Sequence, residues 1–154
     1  MREKQITQEK IRHLALDPPL VVKSGISCAE VLSQMRQQRQ SCALVCKEDR
    51  CVGIFTERDY LYKLIGRKTE FSRPVDEFMT PNPRTLTPDD TVGEAIEMMS
   101  EYGFRNIPLV DVNGNSVGLL RIRNIIDFLA ELYPDVVLNV PPRFKQRFGA
   151  PDGA

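Results

Sequence analysis

The sequence predicts a mixed α/β (α+β) fold in which two βαββα repeats pack sheet to sheet about a pseudo-twofold axis. Three observations lead there. One pattern of apolar residues and turn chemistry occurs twice along the 154 residues, the second copy starting about 64 residues after the first. Each copy switches between helical and strand periodicity. A unit of about 50 residues buries too little apolar surface to stand alone, so the copies are expected to share a core.

The two copies open alike. Ser27-Cys28-Ala29-Glu30 begins a segment with apolar residues at Cys28, Val31, Leu32 and Met35, and Thr91-Val92-Gly93-Glu94 begins one with Val92, Ala95, Ile96 and Met99. This is the spacing of a one-sided helix, and Ser or Thr three residues before Glu is a reciprocal capping box. Short β runs follow at Cys42–Cys46 and Ile107–Val110. The turns after them are Lys47-Glu48-Asp49-Arg50 and Asp111-Val112-Asn113-Gly114-Asn115, the second carrying the Asn-Gly pair that favours a tight hairpin. Strands return at Cys51–Phe55 and Val117–Leu120, with Gly53 matching Gly118, and each leads into a second helix over roughly residues 57–65 and 122–132. Short extended pieces precede the copies at residues 20–22 and 84–86.

The layout is then an N-terminal helix over residues 1–16, stopped by Pro18-Pro19, and a first repeat over 17–66. A linker over 67–80 holds Val75, Phe78 and Met79 as anchors to the core, and the second repeat covers 81–133. Residues 134–154 read as an extended tail with Arg143, Lys145 and Arg147.

Composition removes several function classes. With 42% apolar residues the chain can bury a core, and 21 Lys+Arg against 21 Asp+Glu leave no excess positive charge for nucleic acid. The start is polar and no run nears the roughly 18 apolar residues that cross a bilayer, so a cytoplasmic protein with no membrane partner is expected. Cys28, Cys42, Cys46 and Cys51 lack zinc-ribbon spacing, and His13 is the only histidine. Free packing thiols, no metal site and no catalytic residues are expected, because His13 has no nucleophile nearby in sequence.

The chemistry concentrates at Gly53-Ile54-Phe55-Thr56-Glu57-Arg58-Asp59. Thr56 and Asp59 fall in the first turn of a helix leaving a strand, where unpaired backbone N–H groups and the positive dipole end attract phosphate. A carboxylate there can accept hydrogen bonds from ribose hydroxyls. The same spacing also serves as a helix cap.

This pattern resembles the nucleotide signature of cystathionine-β-synthase-type (CBS) domains, and the tandem resembles a CBS pair, or Bateman module, over about residues 16–133. Supporting phrases are Val75-Asp76-Glu77-Phe78-Met79-Thr80-Pro81, Thr87-Pro88-Asp89-Asp90-Thr91-Val92 and Asn106-Ile107-Pro108-Leu109-Val110-Asp111. The resemblance implies a non-catalytic regulatory or sensor module that binds AMP, ADP, ATP or S-adenosylmethionine in clefts between the repeats. An adenine nucleotide would be a regulatory ligand rather than a cofactor of catalysis. At the first site the resemblance implies Ser41, Thr56, Arg58 and Asp59, with Arg105 and Asn106 reaching in from the second copy and Leu20, Val21 and Val22 walling the adenine.

The second copy departs from the signature, with Arg121 where Thr is expected and Asn124 where Asp is expected. Arg121, Arg123 and Asn124 mark a second site unequal to the first, in which Arg121 either meets an extra phosphate or fills the pocket. Two partners are expected besides the ligand: a second copy of the chain, through helical faces that include Tyr60, Leu64, Ile126 and Leu129, and an effector protein. The alternative reading is a structural or protein-interaction module with vestigial sites. Nucleic-acid binding through Arg121, Arg123 and the tail is a remote third.

Overall fold

A computed structural model describes residues 2–67 and 70–133, with side chains from Lys4 onward. The expected tail, with its three basic residues, lies outside the described residues.

The capped helices form where the sequence places them. After α1 (Arg2–Gln8) the first copy comprises β1 (Val21–Lys23), α2 (Cys28–Gln38), β2 (Cys42–Lys47), β3 (Arg50–Thr56) and α3 (Glu57–Asp59). β4 (Thr80–Pro81) follows, and the second copy comprises α4 (Val92–Tyr102), β5 (Asn106–Val110), β6 (Ser116–Arg121) and α5 (Ile122–Leu132). The Ser27 hydroxyl accepts from the Glu30 amide at 3.2 Å, and at Thr91 the capping box is complete in both directions.

α3 does not continue as a regular helix to residue 65. It widens into a π turn over Tyr60–Leu64, closed by the Ile65 amide on the Tyr60 carbonyl at 3.1 Å. That turn delivers Leu64 into the core at 0% exposure and leaves Leu61 and Ile65 outside. Leu64 is therefore a core residue rather than part of an exposed helical face. Of the other three residues expected on that face, Ile126 is exposed, while Tyr60 and Leu129 are partly buried against the two cores.

β1–β4 make one sheet in that order, with β1 parallel to β2 and the remaining neighbours antiparallel. β5 and β6 make the second, extended by a parallel bridge from Leu86 to Leu109. Both hairpins carry a bulge at the same place: register slips between Val45 and Cys46 and between Leu109 and Val110, leaving Val52 and Val117 as the extra residues. The hairpin tips meet. Arg50 bridges Asn115, the Cys51 amide reaches the Gly114 carbonyl at 3.3 Å, and the Ser116 amide reaches the Asp49 carbonyl at 2.9 Å. Arg50 and Asn115 occupy equivalent places in the two copies, so the pseudo-twofold passes through this junction.

Three apolar clusters result. One gathers α2, β2 and β3 residues such as Val31, Val45 and Phe55, and a second gathers Ala95, Ile107, Leu120 and Ile125. Between the sheets lies a narrow seam of Cys42, Leu44, Cys46, Ile54 and Leu119, with Cys51 against it.

The segments leading into the copies are exchanged. Ile11 and Leu14, ahead of the first copy, pack in the second copy's core; Val75, Phe78 and Met79, ahead of the second, pack in the first. This exchange ends the N-terminal helix at Gln8, short of the expected residue 16. Lys10 is extended and bridges Thr91, while the Val92 amide takes the Glu9 carbonyl at 2.8 Å and the Ile11 amide takes the Asp90 carbonyl at 3.0 Å. Backbone groups committed to the second copy are lost to a helical ladder. α1 then crosses α4 so closely that a Cβ on Gly93 would sit 2.7 Å from the Thr7 carbonyl oxygen.

Candidate functional site

Each copy turns from its last strand into its last helix through one corner, and the two corners are built on the same backbone plan. Thr56 and Arg121 are N-cap residues with extended backbone, and Asp59 and Asn124 stand three residues on, each 7% exposed. In both, the side-chain oxygen of the later residue accepts from the amide of the cap, at 2.9 Å for Asp59 and 2.8 Å for Asn124.

Their remaining atoms differ. Asp59 Oδ2 also accepts from the Thr56 hydroxyl at 3.2 Å, and that hydroxyl accepts from the Asp59 amide at 3.3 Å. Asp59 Oδ1 faces the Lys63 ammonium at 3.0 Å, and Lys63 also donates to the Phe78 carbonyl at 2.8 Å. Asn124 instead donates from Nδ2 to the Ala15 carbonyl at 3.4 Å. The Arg121 guanidinium donates to Gln40 Oε1 at 2.7 Å and to the Asp17 carbonyl at 3.4 Å. It is thus tied to the chain just before β2 and to the segment before β1.

Ser41 lies beside the first corner, its carbonyl accepting the Glu57 amide at 3.0 Å. Arg105 holds the equivalent place at the second corner, its carbonyl accepting the Ile122 amide at 2.9 Å, and Asn106 pairs in register with Arg121. Arg105, Arg58 and Arg123 are exposed, the last bonded to Asp127 at 3.1 Å. Leu20 and Val22 are buried in the first core, and Val21, on the opposite face of β1, is 47% exposed.

A depression of about 410 Å³ adjoins the first corner, lined by Leu32, Met35, Arg36, Arg39, Gln40, Ser41, Glu57 and Tyr60. A larger one, about 630 Å³, lies between the α1 region and α5 and touches neither corner. Among the described residues no cluster of three or more His, Cys, Asp or Glu is placed to hold a metal, and no helix is long and apolar enough to cross a membrane.

Sequence reasoning does not single out Lys63, although its position four residues after Asp59 on one helical face is the signal that places it there. Gln40, Asp17 and Ala15 leave no such signal, because they reach the second corner from the far end of the chain.

The CBS domain profile matches residues 11–66 and again 75–131. The chain belongs to the CBS domain family. Its matches begin at Ile11 and Val75, the residues whose segments are exchanged between the copies, and together they make a tandem CBS pair. A 17.7 kDa protein from the bps2 3′ region of Acidianus ambivalens is 30% identical over 125 residues, covering 80% of this chain and 75% of its own. The inosine-5′-monophosphate dehydrogenase of Aquifex aeolicus is 33% identical over 110 residues, 70% of this chain and 22% of the enzyme, so the CBS pair spans about a fifth of that relative.

Solved structures share the fold. A CBS domain protein of Pyrobaculum aerophilum complexed with AMP matches with a TM-score of 0.70 at 25% identity, covering 79% of this chain and 98% of that one. A CBS domain pair complexed with 5′-methylthioadenosine and S-adenosyl-L-methionine matches with a TM-score of 0.68 at 23% identity, covering 78% and 98%.

Proposed function

We propose that this CBS pair is a non-catalytic regulatory module that takes one adenosine-containing ligand, an adenine nucleotide or S-adenosylmethionine, at its first corner. The observation that carries the reading is the division of labour on Asp59. Oδ2 holds the helix cap, while Oδ1 meets, among the described residues, a Lys63 ammonium whose side chain is 42% exposed. A ribose hydroxyl can replace that ammonium at Oδ1 and leave the cap intact. Thr56 and Ser41 stand beside it, exposed Arg58 offers a cation for phosphate, and Val21 offers an outward apolar surface to the adenine with Leu20 and Val22 behind it. Arg105 and Asn106 are proposed to approach from the second copy.

The second corner supports no equal site. Arg121 is already bonded to Gln40 and Asp17, and Asn124 to Ala15, which favours the role of a plug; Arg123 lies outside it, on Asp127. Leu61 and Ile126 hold equivalent places in the two copies and are each 52% exposed, and they are proposed as the contact between two chains of a cytoplasmic homodimer that acts on an effector protein.

Calorimetric titration with AMP, ADP, ATP, S-adenosylmethionine, NAD and GTP tests the ligand. One adenosine compound per chain is expected to bind, with Asp59→Ala weakening it about tenfold or more as a charge-assisted hydrogen bond is lost. Asn124→Ala is expected to change affinity far less. Should no adenosine compound bind the wild-type chain, the reading gives way to an interaction module with vestigial sites, which the existing partners of both Asp59 oxygens favour.

A further inference from the structure

Residues of β2 alternate between its two faces. Ala43 and Val45 enter the first copy's core, while Cys42, Leu44 and Cys46 enter the seam between the sheets. Cys51 is the register partner of Cys46 across the hairpin and packs on the same seam. Regularly paired Cα atoms on antiparallel strands lie about 4.5–5.5 Å apart, and this pair sits directly beside the bulge at Val52. That regular spacing falls inside the roughly 4.4–6.8 Å that a disulfide spans.

The two sulfurs already interact. Cys46 is hydrogen-bonded to the Cys51 side chain and to Ser116 from the other copy, while the Cys51 thiol donates to the Gly53 carbonyl at 3.7 Å. The bonds to Cys46, Cys51 first, outweigh burial and the charge of Asp49 and hold the Cys46 thiol below its ordinary range. The other three are driven the opposite way: burial is the main cause that pushes both Cys28 and Cys42 up to about 11, and the contact with Cys46 followed by burial raises Cys51. Cys46 and Cys51 thus face each other across the hairpin, with Cys51 the more open to solvent.

We infer that Cys46 and Cys51 are a reversible dithiol that closes to an intrachain disulfide, with hydrogen peroxide as oxidant, at the seam where the two copies join. The Cys46 thiolate attacks one peroxide oxygen; the O–O bond breaks, and the departing hydroxide takes a proton and leaves as water. The Cys51 sulfur then attacks the sulfenic sulfur, the S–O bond breaks, and the hydroxyl leaves with the Cys51 proton as a second water. Two electrons pass from the sulfurs to the peroxide. The oxidant is little larger than water, as a sulfur on a residue only 4% exposed requires, and Cys51 beside it is partly open to solvent. Closure withdraws the Cys46 thiolate from the Ser116 hydroxyl, so the event is felt between the copies.

Trypsin separates the two sulfurs, because Lys47 and Arg50 lie between them. After native treatment of the full chain with hydrogen peroxide, two of the four thiols are expected to escape maleimide labelling. The peptide Gln40–Lys47 is expected joined to Cys51–Arg58 through Cys46, with dithiothreitol restoring all labelling. Cys42→Ser is expected to keep the cross-link, and Cys51→Ser to stop Cys46 at a sulfenic acid that dimedone traps once per chain. Four labelled thiols after peroxide, a link that maps to Cys42, or no dimedone adduct in Cys51→Ser would each overturn the inference. None of these readouts depends on nucleotide.

Discussion

At the first corner a carboxylate caps the helix and turns its other oxygen to a lysine; at the second an amide caps the helix and turns its nitrogen to a carbonyl. The backbone plan is common to both, so it is the third party that decides the residue. Ala15 presents an acceptor, which an amide can satisfy and an ionised carboxylate cannot. Lys63 presents a donor, which a carboxylate meets with charge. A repeat can therefore keep its fold while its two copies satisfy the same corner with different partners.

The sharpest way to break the equivalence of the copies lies one turn upstream, at the matched glycines. A Cβ on Gly53 would stand 2.2 Å from the Met79 sulfur, whereas one on Gly118 would stand 3.6 Å from Leu109. Met79 belongs to the exchanged lead-in segment and is buried in the first core, so it has little room to retreat. Gly53→Ala is expected to lower stability by about 1–3 kcal/mol, and Gly118→Ala to stay within about 0.5 kcal/mol of wild type. Urea unfolding of both variants checks this; equal midpoints would mean that Met79 gives way freely.

Exchanging the corner residues comes next in size. Asn124→Asp sets a carboxylate against the Ala15 carbonyl and is expected to cost about 1–2 kcal/mol near pH 7. The penalty is expected where the introduced carboxyl is ionised and is expected to fade as pH falls and the acid form regains a donor. Asp59→Asn keeps the cap acceptor and loses only the half-exposed Lys63 partner, at about 1 kcal/mol or less. Melting curves near pH 7 and near pH 4 separate the two, since only Asn124→Asp should recover in acid.

These contrasts also mark what sequence could show. The repeat, the caps at Ser27 and Thr91 and the matched glycines are legible because each depends on residues a few places apart. The exchange of Ile11 and Val75 between the cores is not, because an apolar residue does not state which copy buries it. Nor are the partners of Arg121 at the second corner, since it bonds to Gln40 across 81 residues and to Asp17 across 104. The Thr56–Asp59 spacing is compatible with capping and with ribose binding; the fold shows the capping, with Oδ2 on the Thr56 amide and Oδ1 facing Lys63.

A smaller difference ends the first helix of each copy. Arg39 and Gly103 are the matched C-cap residues, both left-handed, at φ 53° and 73°. Glycine adopts this region freely, whereas a side chain is strained there. Arg39→Gly is expected to raise stability by about 0.5–1 kcal/mol and Gly103→Ala to lower it by about 1 kcal/mol. Thermal unfolding checks the opposite signs, and two shifts of the same sign would remove the explanation.

The smallest expected effect concerns how each lead-in segment is clamped. Asp76 accepts from the Ser24 hydroxyl and from the Gly25 amide at 2.6 Å, and at the matched place in the other copy the charge is reversed, with Arg12 on Asp89. Burial pushes the Asp76 pKa up, but the Ser24 hydroxyl and the Gly25 amide outweigh it and hold the carboxyl below its ordinary value. Because the folded pKa is depressed, the stabilisation is fully present above the unfolded value near 4 and is lost as pH falls through the folded value. After allowance for solvent at this partly open site it amounts to about 0.5–1 kcal/mol. Asp76→Asn is therefore expected to reduce stability near neutrality and to flatten its fall in acid. Arg12→Ala is expected to cost less than about 0.5 kcal/mol, and less still in high salt, because its ion pair is open to water. Stability measured from about pH 6 down to about pH 3 at two salt concentrations tests both at once: a wild-type acid limb that Asp76→Asn leaves unchanged would show that Asp76 does not clamp the first copy's lead-in.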